Sequence, residues 1–265
     1  MLLAIDVGNS SIEFGIFKIA DQHINNILYN FRIPTNKDIS DVELGKLITF
    51  NLLERNINPK LIKNVISASV VTSLDHTIYL MCENNFHCKP LVISYQLNTG
   101  LTFNYPNPQE IGADRIVNAV AANELFGGPA IIVDFGTATT FCAITKNSEY
   151  LGGVIAPGLN TSLNSLIDKT DKLNKVNIIK PQTILAKSTA HAIQSGIYFG
   201  AIGSFEYIIN QIKNELSFQN AKIITTGGFS KFIAQGTQII DILDPFLTLK
   251  GLKILFHKNN LHLNK

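Results

Sequence analysis

Short runs of aliphatic residues, each ending in an aspartate and then a glycine, occur twice along the chain. The segment LLAIDVGNS (residues 2–10) is echoed by IIVDFGTAT (residues 131–139), about half a chain later. Such aliphatic runs are typical of strands that are covered on both faces, and a glycine just beyond indicates a tight turn or a close approach of the backbone to a ligand. Two such strand–Asp–x–Gly units predict a duplicated fold.

The rest of the pattern mixes strands and helices. Aliphatic runs bounded by turn residues predict buried strands at residues 64–71, 90–94, 150–158 and 221–226. Apolar residues at helical spacing predict helices at residues 41–55, 73–85, 159–169 and 188–216. Gly227-Gly228 predicts a turn into a short helix, and turns of this kind often lie near nucleotides. The pattern therefore predicts an α/β protein.

The long helix predicted at residues 188–216 carries Gly196, Gly200 and Gly203 at spacings of four and three, which places a smooth stripe on one face. Such a stripe fits a tight helix crossing within the chain or a subunit interface. The spacing alone does not choose between them.

Length and composition indicate a compact protein of two domains. The chain has 265 residues, of which 46% are hydrophobic and 16% charged, and like charges form no block. Since an ordinary domain has about 150 residues, we predict domains at residues 1–117 and 118–265, with the last helix free to pack back on the first domain.

Charge and hydropathy exclude several classes of function. The formal charge of +2 is spread out, with no Lys/Arg cluster denser than the tail at residues 253–265, so we expect no nucleic-acid partner. No run of about 18 apolar residues occurs, so we expect no membrane partner and a cytoplasmic location. Three cysteines are too few for a disulfide framework, and Cys82, His87 and Cys88 lack a second ligand pair at zinc-like spacing.

Familiar catalytic motifs are absent. The chain contains no GxxxxGK[ST], GxGxxG, HExxH or GxSxG sequence, which disfavours P-loop, Rossmann, zincin and hydrolase interpretations.

The two Asp-x-Gly turns carry the chemistry expected of a phosphate site. Turn glycines let backbone N–H groups face an anion, each Asp can hold a hydrated cation, and hydrogen-bond donors follow at Asn9, Ser10, Thr137 and Thr139. One such turn alone is most simply an Asp that satisfies local backbone donors. Two turns in equivalent settings favour phosphate binding.

The segment Gly112-Ala113-Asp114-Arg115 predicts a close-packed entry into a helix that begins near Asp114. A helix N-terminus favours an anionic side chain or ligand. Taken by itself, the simplest interpretation is that Asp114 caps its helix and Arg115 forms a surface ion pair.

The duplicated units and the late Gly-Gly turn resemble the acetate and sugar kinase, Hsp70 and actin superfamily, whose two related ribonuclease H-like domains bind ATP in the cleft between them. Residues 104–119 are similar to the corresponding segment of type III pantothenate kinases. The similarity extends in order over nearly the whole chain, with further matches at residues 6–9, 134–140, 152–153 and 244–252. It implies ATP-dependent phosphorylation of pantothenate to 4'-phosphopantothenate, the first step of coenzyme A biosynthesis.

The resemblance also implies roles for individual residues. Asp114 matches the catalytic aspartate, which accepts or orients the proton of the substrate hydroxyl; because an Asp of pKa about 3.9 is a weak base, we expect it to position the hydroxyl and take its proton late. The positions that match ATP contacts are Asp6, Val7, Gly8, Asn9, Ser10 and Thr137, with Asp6 also holding the Mg²⁺ of Mg-ATP. The positions that match pantothenate contacts are Tyr105, Gly112, Ala113, Asp114, Arg115 and Thr189.

Two further implications concern a cation and a second subunit. Asp134 matches a ligand of K⁺ or NH₄⁺, and Arg115 can offer a planar fork to a carboxylate. Thr189 matches a threonine that reaches pantothenate across a homodimer interface, which favours the interface interpretation of the glycine stripe.

The chain departs from the family pattern at Ser10, Ala186 and Glu13. Members often have Thr at the first position and Gly at the second, and some have Lys at the third. Ser10 keeps the hydroxyl group. A carboxylate at Glu13 would repel ATP phosphates unless it points away or helps to hold magnesium, so Glu13 is not assigned to the ATP site.

Two alternatives remain open. The paired Asp-x-Gly turns alone would suit another kinase of the superfamily, acting on a sugar or a small acid. A non-catalytic regulator is the other, because the resemblance extends to proteins described as accessory factors for gene expression. The retained acidic positions and the lack of a basic stripe disfavour the regulator.

Overall fold

The computed structural model describes residues 1–21, 23–170 and 173–260. The strands are β1 (Leu2–Val7), β2 (Ser11–Phe17), β3 (Tyr29–Pro34), β4 (Asn64–Ser69), β5 (Pro90–Val92), β6 (Thr102–Phe103), β7 (Ala130–Phe135), β8 (Ala138–Ile144), β9 (Glu149–Pro157), β10 (Lys222–Thr226) and β11 (Ile242–Leu243). The helices are α1 (Asp41–Leu53), α2 (Asp75–Met81), α3 (Ala113–Phe126), α4 (Leu159–Asp168), α5 (Thr189–Leu216), α6 (Ser230–Ile233) and α7 (Leu247–Asn259).

The chain forms two compact units, each built from more than one segment. The first unit contains Met1–Leu101, Pro106–Glu124 and the C-terminal segment from Leu247, and the second contains Thr102–Tyr105 and Leu125–Phe246. The domain boundary predicted after residue 117 falls within α3. Helix α7 packs on β1, β2 and β4 of the first unit.

The first unit is a five-stranded sheet in the order β3-β2-β1-β4-β5. β1 runs antiparallel to β2 and parallel to β4. Alternate side chains such as Ile5, Val7 and Phe14 point to one face, where they pack against α1 and α2 in a buried core. On the other face Gly15 allows close packing of α7, because an added Cβ atom there would lie 3.1 Å from Leu249.

The second unit repeats this arrangement. Its sheet has the order β11-β10-β7-β8-β9-β6. β7 runs antiparallel to β8 and parallel to β10, as β1 does to β2 and β4. The series β9-β8-β7-β10-β11 thus matches β3-β2-β1-β4-β5, and β6 adds a parallel strand beyond β9. The predicted duplication is confirmed.

The long helix is confirmed as α5. It begins at Thr189 with Ser188 as N-cap, and it ends where Ser217 adopts the left-handed conformation at φ 56°. A Cβ atom added at any of the three stripe glycines would have no atom of the described chain within 4 Å. Among the residues that the structure describes, the stripe therefore lies in no tight helix crossing.

The predicted helix at residues 73–85 is interrupted. A 3₁₀ turn precedes α2, and a π-helical turn at Cys82–Phe86 follows it and ends at His87, which is left-handed at φ 55°. The strands β2, β3, β6, β8 and β11 were not predicted. The three cysteines are free, and among the described residues no helix is long and apolar enough to cross a membrane.

Candidate functional site

The turn between β1 and β2 is held by hydrogen bonds to its own backbone and to the residue that follows β3. The N–H of Gly8 donates to the carbonyl of Ser11 at 3.0 Å, and the N–H of Thr35 donates to the carbonyl of Ser10 at 3.1 Å. The Thr35 hydroxyl donates to the carbonyl of Gly8 at 2.6 Å. Because these bonds fix the turn backbone, Asn9 and Ser10 are presented to solvent.

Asp6 lies at the end of β1, just before this turn, and is half-buried. The N–H of Val70, directly after β4, donates to the carbonyl of Val7 at 3.0 Å. β1 and β4 are parallel, so their carboxyl ends meet at this edge of the sheet. Ligands of open α/β sheets bind at such edges.

Glu13 faces Asp6 across the β1–β2 pair and faces Arg32 across the β2–β3 pair. Arg32 Nη2 lies 2.6 Å from Glu13 Oε2. The Glu13 carboxylate is therefore neutralised by a cation on the strand farther from Asp6.

The Gly112-Ala113-Asp114-Arg115 segment lies at the same edge of the first unit. A Cβ atom at Gly112 would be 3.7 Å from the side chain of Val70, the residue that ties β4 to β1. The carbonyl of Gly112 accepts the N–H of Arg115 at 3.0 Å and so begins α3. The structure thus brings Asp114 and the Asp6 turn to the end of one strand pair.

Asp114 has an unusual electrostatic environment. Burial raises the pKa of its carboxyl group above the ordinary value, and the N–H and the charge of Arg115 oppose that shift only in part. The Arg115 N–H donates to Asp114 Oδ1 at 2.8 Å. Arg115 is only 7% exposed, so the interpretation of Arg115 as a surface ion-pairing residue is wrong. Asp114 is half-buried, and a carboxylate whose pKa is raised by desolvation suits a group that receives a proton.

The second Asp-x-Gly turn lies in the second unit, between β7 and β8. The N–H of Gly136 donates to the carbonyl of Ala138 at 3.1 Å. The exposed Thr137 offers its carbonyl to the N–H of Gly158 at 3.0 Å and to the hydroxyl of Thr161 at 2.6 Å. The start of α4 thereby fixes the turn backbone.

The Gly-Gly turn after β10 is part of this second constellation, although it was not among the predicted site residues. Thr226 is the parallel partner of Asp134, so the two strands end together. Gly227 has φ +91°, and a Cβ atom there would lie 2.3 Å from Asp134 Oδ1. The Ser230 hydroxyl donates to the carbonyl of Gly227 at 2.7 Å. The sequence signal was the Gly-Gly pair itself, but the contact with Asp134 depends on strand order.

Tyr105 packs against β9 in the second unit. Its ring meets that of Tyr150 edge-on, with centroids 6.3 Å apart. Gly152, at φ +119°, lets the backbone approach, because a Cβ atom there would lie 3.6 Å from the Tyr105 ring. The Gly152-Gly153 pair thus leaves space for the ring of Tyr105, a predicted substrate-binding residue.

Thr189 is the first residue of α5 and is exposed. The Ser188 hydroxyl accepts the N–H of His191 at 3.4 Å, which caps the helix. Just before it, Ile184 and Leu185 are 65% and 86% exposed. Thr189 therefore follows, within five residues of the chain, two exposed apolar side chains of the second unit.

Comparisons with solved structures give the fold. The chain is similar to a Campylobacter jejuni protein assigned to the Baf family of transcriptional activators, with 20% identity, 98% of this chain and 99% of that chain covered, and a TM-score of 0.59. It is similar to the activator of 2-hydroxyisocaproyl-CoA dehydratase from Clostridium difficile, solved with bound ADPNP, with 10% identity, 99% and 96% covered, and a TM-score of 0.54. An ethanolamine utilization protein from Carboxydothermus hydrogenoformans has 14% identity, 96% and 89% covered, and a TM-score of 0.55. These likenesses confirm the predicted actin, Hsp70 and sugar kinase type of fold.

A family model establishes what the fold alone leaves open. The model described as type III pantothenate kinase matches residues 2–211, which is most of the chain and includes both Asp-x-Gly turns and the segment around Asp114. The chain therefore belongs to the type III pantothenate kinases, enzymes that phosphorylate pantothenate with ATP in coenzyme A biosynthesis.

Proposed function

We propose that Asp114 holds the primary hydroxyl of pantothenate and receives its proton as the γ-phosphoryl group of ATP is transferred. The observation that carries this proposal is the position of Asp114, whose segment packs at Gly112 against Val70, the residue that ties β4 to β1. Desolvation of the carboxyl group there raises its pKa. A base must hold the proton that it removes, and burial makes this carboxylate more basic than an ordinary aspartate. Orientation supplies the rest, because phosphoryl transfer depends mainly on position and charge.

In the first unit, we assign the ATP phosphates to the turn at Gly8, Asn9 and Ser10. The turn backbone is fixed by Thr35, and the exposed Asn9 and Ser10 side chains can donate to phosphate oxygens. The Asp6 carboxylate, beside this turn, has the oxygen chemistry that suits a hydrated Mg²⁺. When bound, that ion would neutralise phosphate charge.

In the second unit, we assign the turn at Thr137 to ATP and Asp134 to a monovalent cation, K⁺ or NH₄⁺. Thr137 is exposed, and the carbonyl that it offers to Gly158 and Thr161 keeps its backbone in place. Asp134 is half-buried, and its carboxylate oxygen Oδ1 lies beside the backbone of Gly227. Oxygen donors of low charge suit a large monovalent ion.

For pantothenate, we assign the binding contacts to Tyr105 and to the segment from Gly112 to Arg115. The ring of Tyr105 is held edge-on against Tyr150, so it is a rigid contact. Arg115 offers a planar fork that matches a carboxylate, which pantothenate carries.

We further propose that the enzyme is a homodimer in which Thr189 contacts pantothenate in the partner's site. The support comes from exposed residues of the second unit, namely the open glycine stripe of α5 and the apolar side chains of Ile184, Leu185 and Tyr207. A cavity of about 270 Å³ lies beside Gly196 and Gly200, so the surface there is concave. Apolar surfaces with relief suit a second copy of the chain.

A coupled ADP-release assay tests the reaction. Turnover is expected with pantothenate and ATP, and none is expected with hexoses or acetate. K⁺ is expected to activate more strongly than Na⁺, and Asp134→Ala should remove that preference while the protein remains folded. Absence of turnover with pantothenate would refute the assignment of substrate, and equal activation by Na⁺ would refute the cation site.

A further inference from the structure

Three charged residues lie in a row across the first sheet: Asp6 on β1, Glu13 on β2 and Arg32 on β3. The strand register pairs Asp6 with Glu13 and pairs Glu13 with Arg32. Residues directly opposite in antiparallel strands point to the same face, with Cβ atoms about 4.5–5.5 Å apart. The row therefore puts two carboxylates side by side, with a guanidinium beyond the second.

The charges in this row are arranged by a direct contact. Arg32 Nη2 lies 2.6 Å from Glu13 Oε2, with side-chain exposures of 46% for Arg32 and 12% for Glu13. Like charges directly opposite each other in a sheet are unfavourable, so an unpaired Glu13 would add to the negative field at Asp6. Arg32 cancels that field on the side away from Asp6.

The strand that carries Arg32 also leads into the residue that holds the phosphate turn. Thr35, three residues after Arg32 and just beyond β3, donates hydrogen bonds to the carbonyls of Gly8 and Ser10. The ion pair and these two bonds thus fasten the same edge of the sheet. A change at Arg32 would act on the turn through charge, while the turn's backbone bonds stay in place.

We propose that Arg32 is a positioning residue for ATP: it holds and neutralises the Glu13 carboxylate, so that the Asp6 turn can accept the phosphates of Mg-ATP. The inference rests on the proposed role of Asp6 and its turn. It gives Arg32 no contact with ATP, and its effect passes through Glu13.

A double-mutant cycle tests the inference. Arg32→Gln should raise the KM for ATP about tenfold, because an unpaired carboxylate would face the triphosphate. kcat and the KM for pantothenate should change far less. Glu13→Gln/Arg32→Gln should bring the KM for ATP back to within about twofold of the wild-type value, because the repelling charge is gone. Arg32→Lys should keep most of the ATP affinity, since the positive charge remains.

Arg55→Gln is the matched control, because Arg55 is another exposed arginine of the first unit and lies over the Tyr29 ring at 5.3 Å. It should leave every kinetic constant unchanged. The inference fails if Arg32→Gln lowers only the melting temperature and leaves the KM for ATP unchanged. It fails equally if the double variant is as impaired as Arg32→Gln, because Arg32 would then act independently of Glu13. The Glu13→Gln single variant completes the cycle. Adding Arg32→Gln to it should leave the KM for ATP unchanged.

Asp6→Asn separates this inference from the role on which it rests. A normal KM for ATP in Asp6→Asn would remove the proposed ATP site itself. An impaired Asp6→Asn together with an unaffected Arg32→Gln would overturn only the role of Arg32.

Discussion

The carboxylate of Asp114 occupies the space that a side chain at Gly112 would need. A Cβ atom at Gly112 would lie 2.6 Å from Asp114 Oδ1, well inside van der Waals contact. The same oxygen accepts the N–H of Arg115, so the carboxylate is folded back over the first turn of α3. The observed position of the Asp114 carboxylate thus depends on the absence of a side chain at Gly112.

Gly112→Ala should therefore impair catalysis more than folding. The new methyl group would push the Asp114 carboxylate away, and displacement of a catalytic group by about 1 Å can reduce rates about 100-fold. Because the carboxylate is the far end of a side chain that can rotate, the melting temperature should fall only slightly. Steady-state kinetics and thermal unfolding measure the two effects. Near-normal kcat in Gly112→Ala would show that the observed position of Asp114 is not required.

Asp114→Asn should lower kcat by about 10²- to 10⁴-fold, the usual contribution of a positioned acid or base. The same substitution should stabilise the protein at neutral pH. Burial raises the pKa of Asp114 in the folded state, so its ionised form is unfavourable there, and asparagine removes that penalty. The stabilising contribution of the protonated carboxyl group is complete below the unfolded-state pKa and is lost as pH rises through the raised one. The gain in the free energy of unfolding should accordingly be larger at about pH 8 than at about pH 4.

Glu110→Gln is the control for Asp114→Asn. Glu110 is an exposed carboxylate four residues earlier, and it accepts a hydrogen bond from the side chain of Asn107 at 3.1 Å. Its removal should leave kcat unchanged. A pH-independent difference in unfolding free energy between wild type and Asp114→Asn would mean that the Asp114 carboxylate is not desolvated in the folded protein.

The acidic limb of the pH–rate profile should also report Asp114. If Asp114 receives the proton, as proposed, catalysis requires its ionised carboxylate. Because the pKa of this carboxyl group is raised, kcat/KM for pantothenate should begin to fall at a higher pH than an ordinary aspartate of pKa about 3.9 would give. Glu110→Gln should keep the same limb. An acidic limb whose apparent pKa is at or below that of an ordinary aspartate would show that Asp114 is not the group that limits the rate at low pH.

Part of this architecture could be predicted from the sequence, because the relevant signals are local. The aliphatic runs at residues 2–5 and 131–133 form buried central strands. A strand that is covered on both faces needs apolar side chains at successive positions, so its sequence is recognisable. Each run is followed by the same Asp-x-Gly turn, and this repetition predicted the duplicated fold. The alternation of Ile12, Phe14 and Ile16 is a comparable local signal for β2, a strand that was not predicted.

What the sequence left undecided depends on residues that are distant in the chain. The charge at Glu13 is cancelled by Arg32, 19 residues later, through strand register. The contact of Gly227 with Asp134 depends on β10 lying beside β7, 92 residues away in sequence. The burial that raises the pKa of Asp114 comes from its surroundings in the folded unit, which no local pattern records.

Gly227→Ala should destabilise the second unit by roughly 2–4 kcal/mol, the sum of a positive φ and a steric overlap. The added Cβ atom would lie 2.3 Å from Asp134 Oδ1 and 2.6 Å from the backbone nitrogen of Phe135. Gly127→Ala is a matched control, because Gly127 also has positive φ, at +70°, but has nothing within 4 Å of an added Cβ. It should lose only about 1–2 kcal/mol, the backbone part. Urea unfolding measures the free energy of unfolding of both variants. Equal losses would show that steric overlap with Asp134 and Phe135 does not contribute.

Mixed dimers give the sharpest test of Thr189. If Thr189 serves the partner's site, the wild-type Asp114 and Thr189 of one complete site come from different subunits. A Thr189→Ala homodimer should have a raised KM for pantothenate, and an Asp114→Asn homodimer should be almost inactive. A heterodimer of the two variants then has one site that lacks both groups and one site that retains both. It should show about half the wild-type activity with a normal KM for pantothenate, whereas sites built within single subunits would show the raised KM of Thr189→Ala. Differently tagged subunits, purified in tandem and assayed for ADP release, distinguish the two results, and a protein that sediments as a monomer would exclude the exchange altogether.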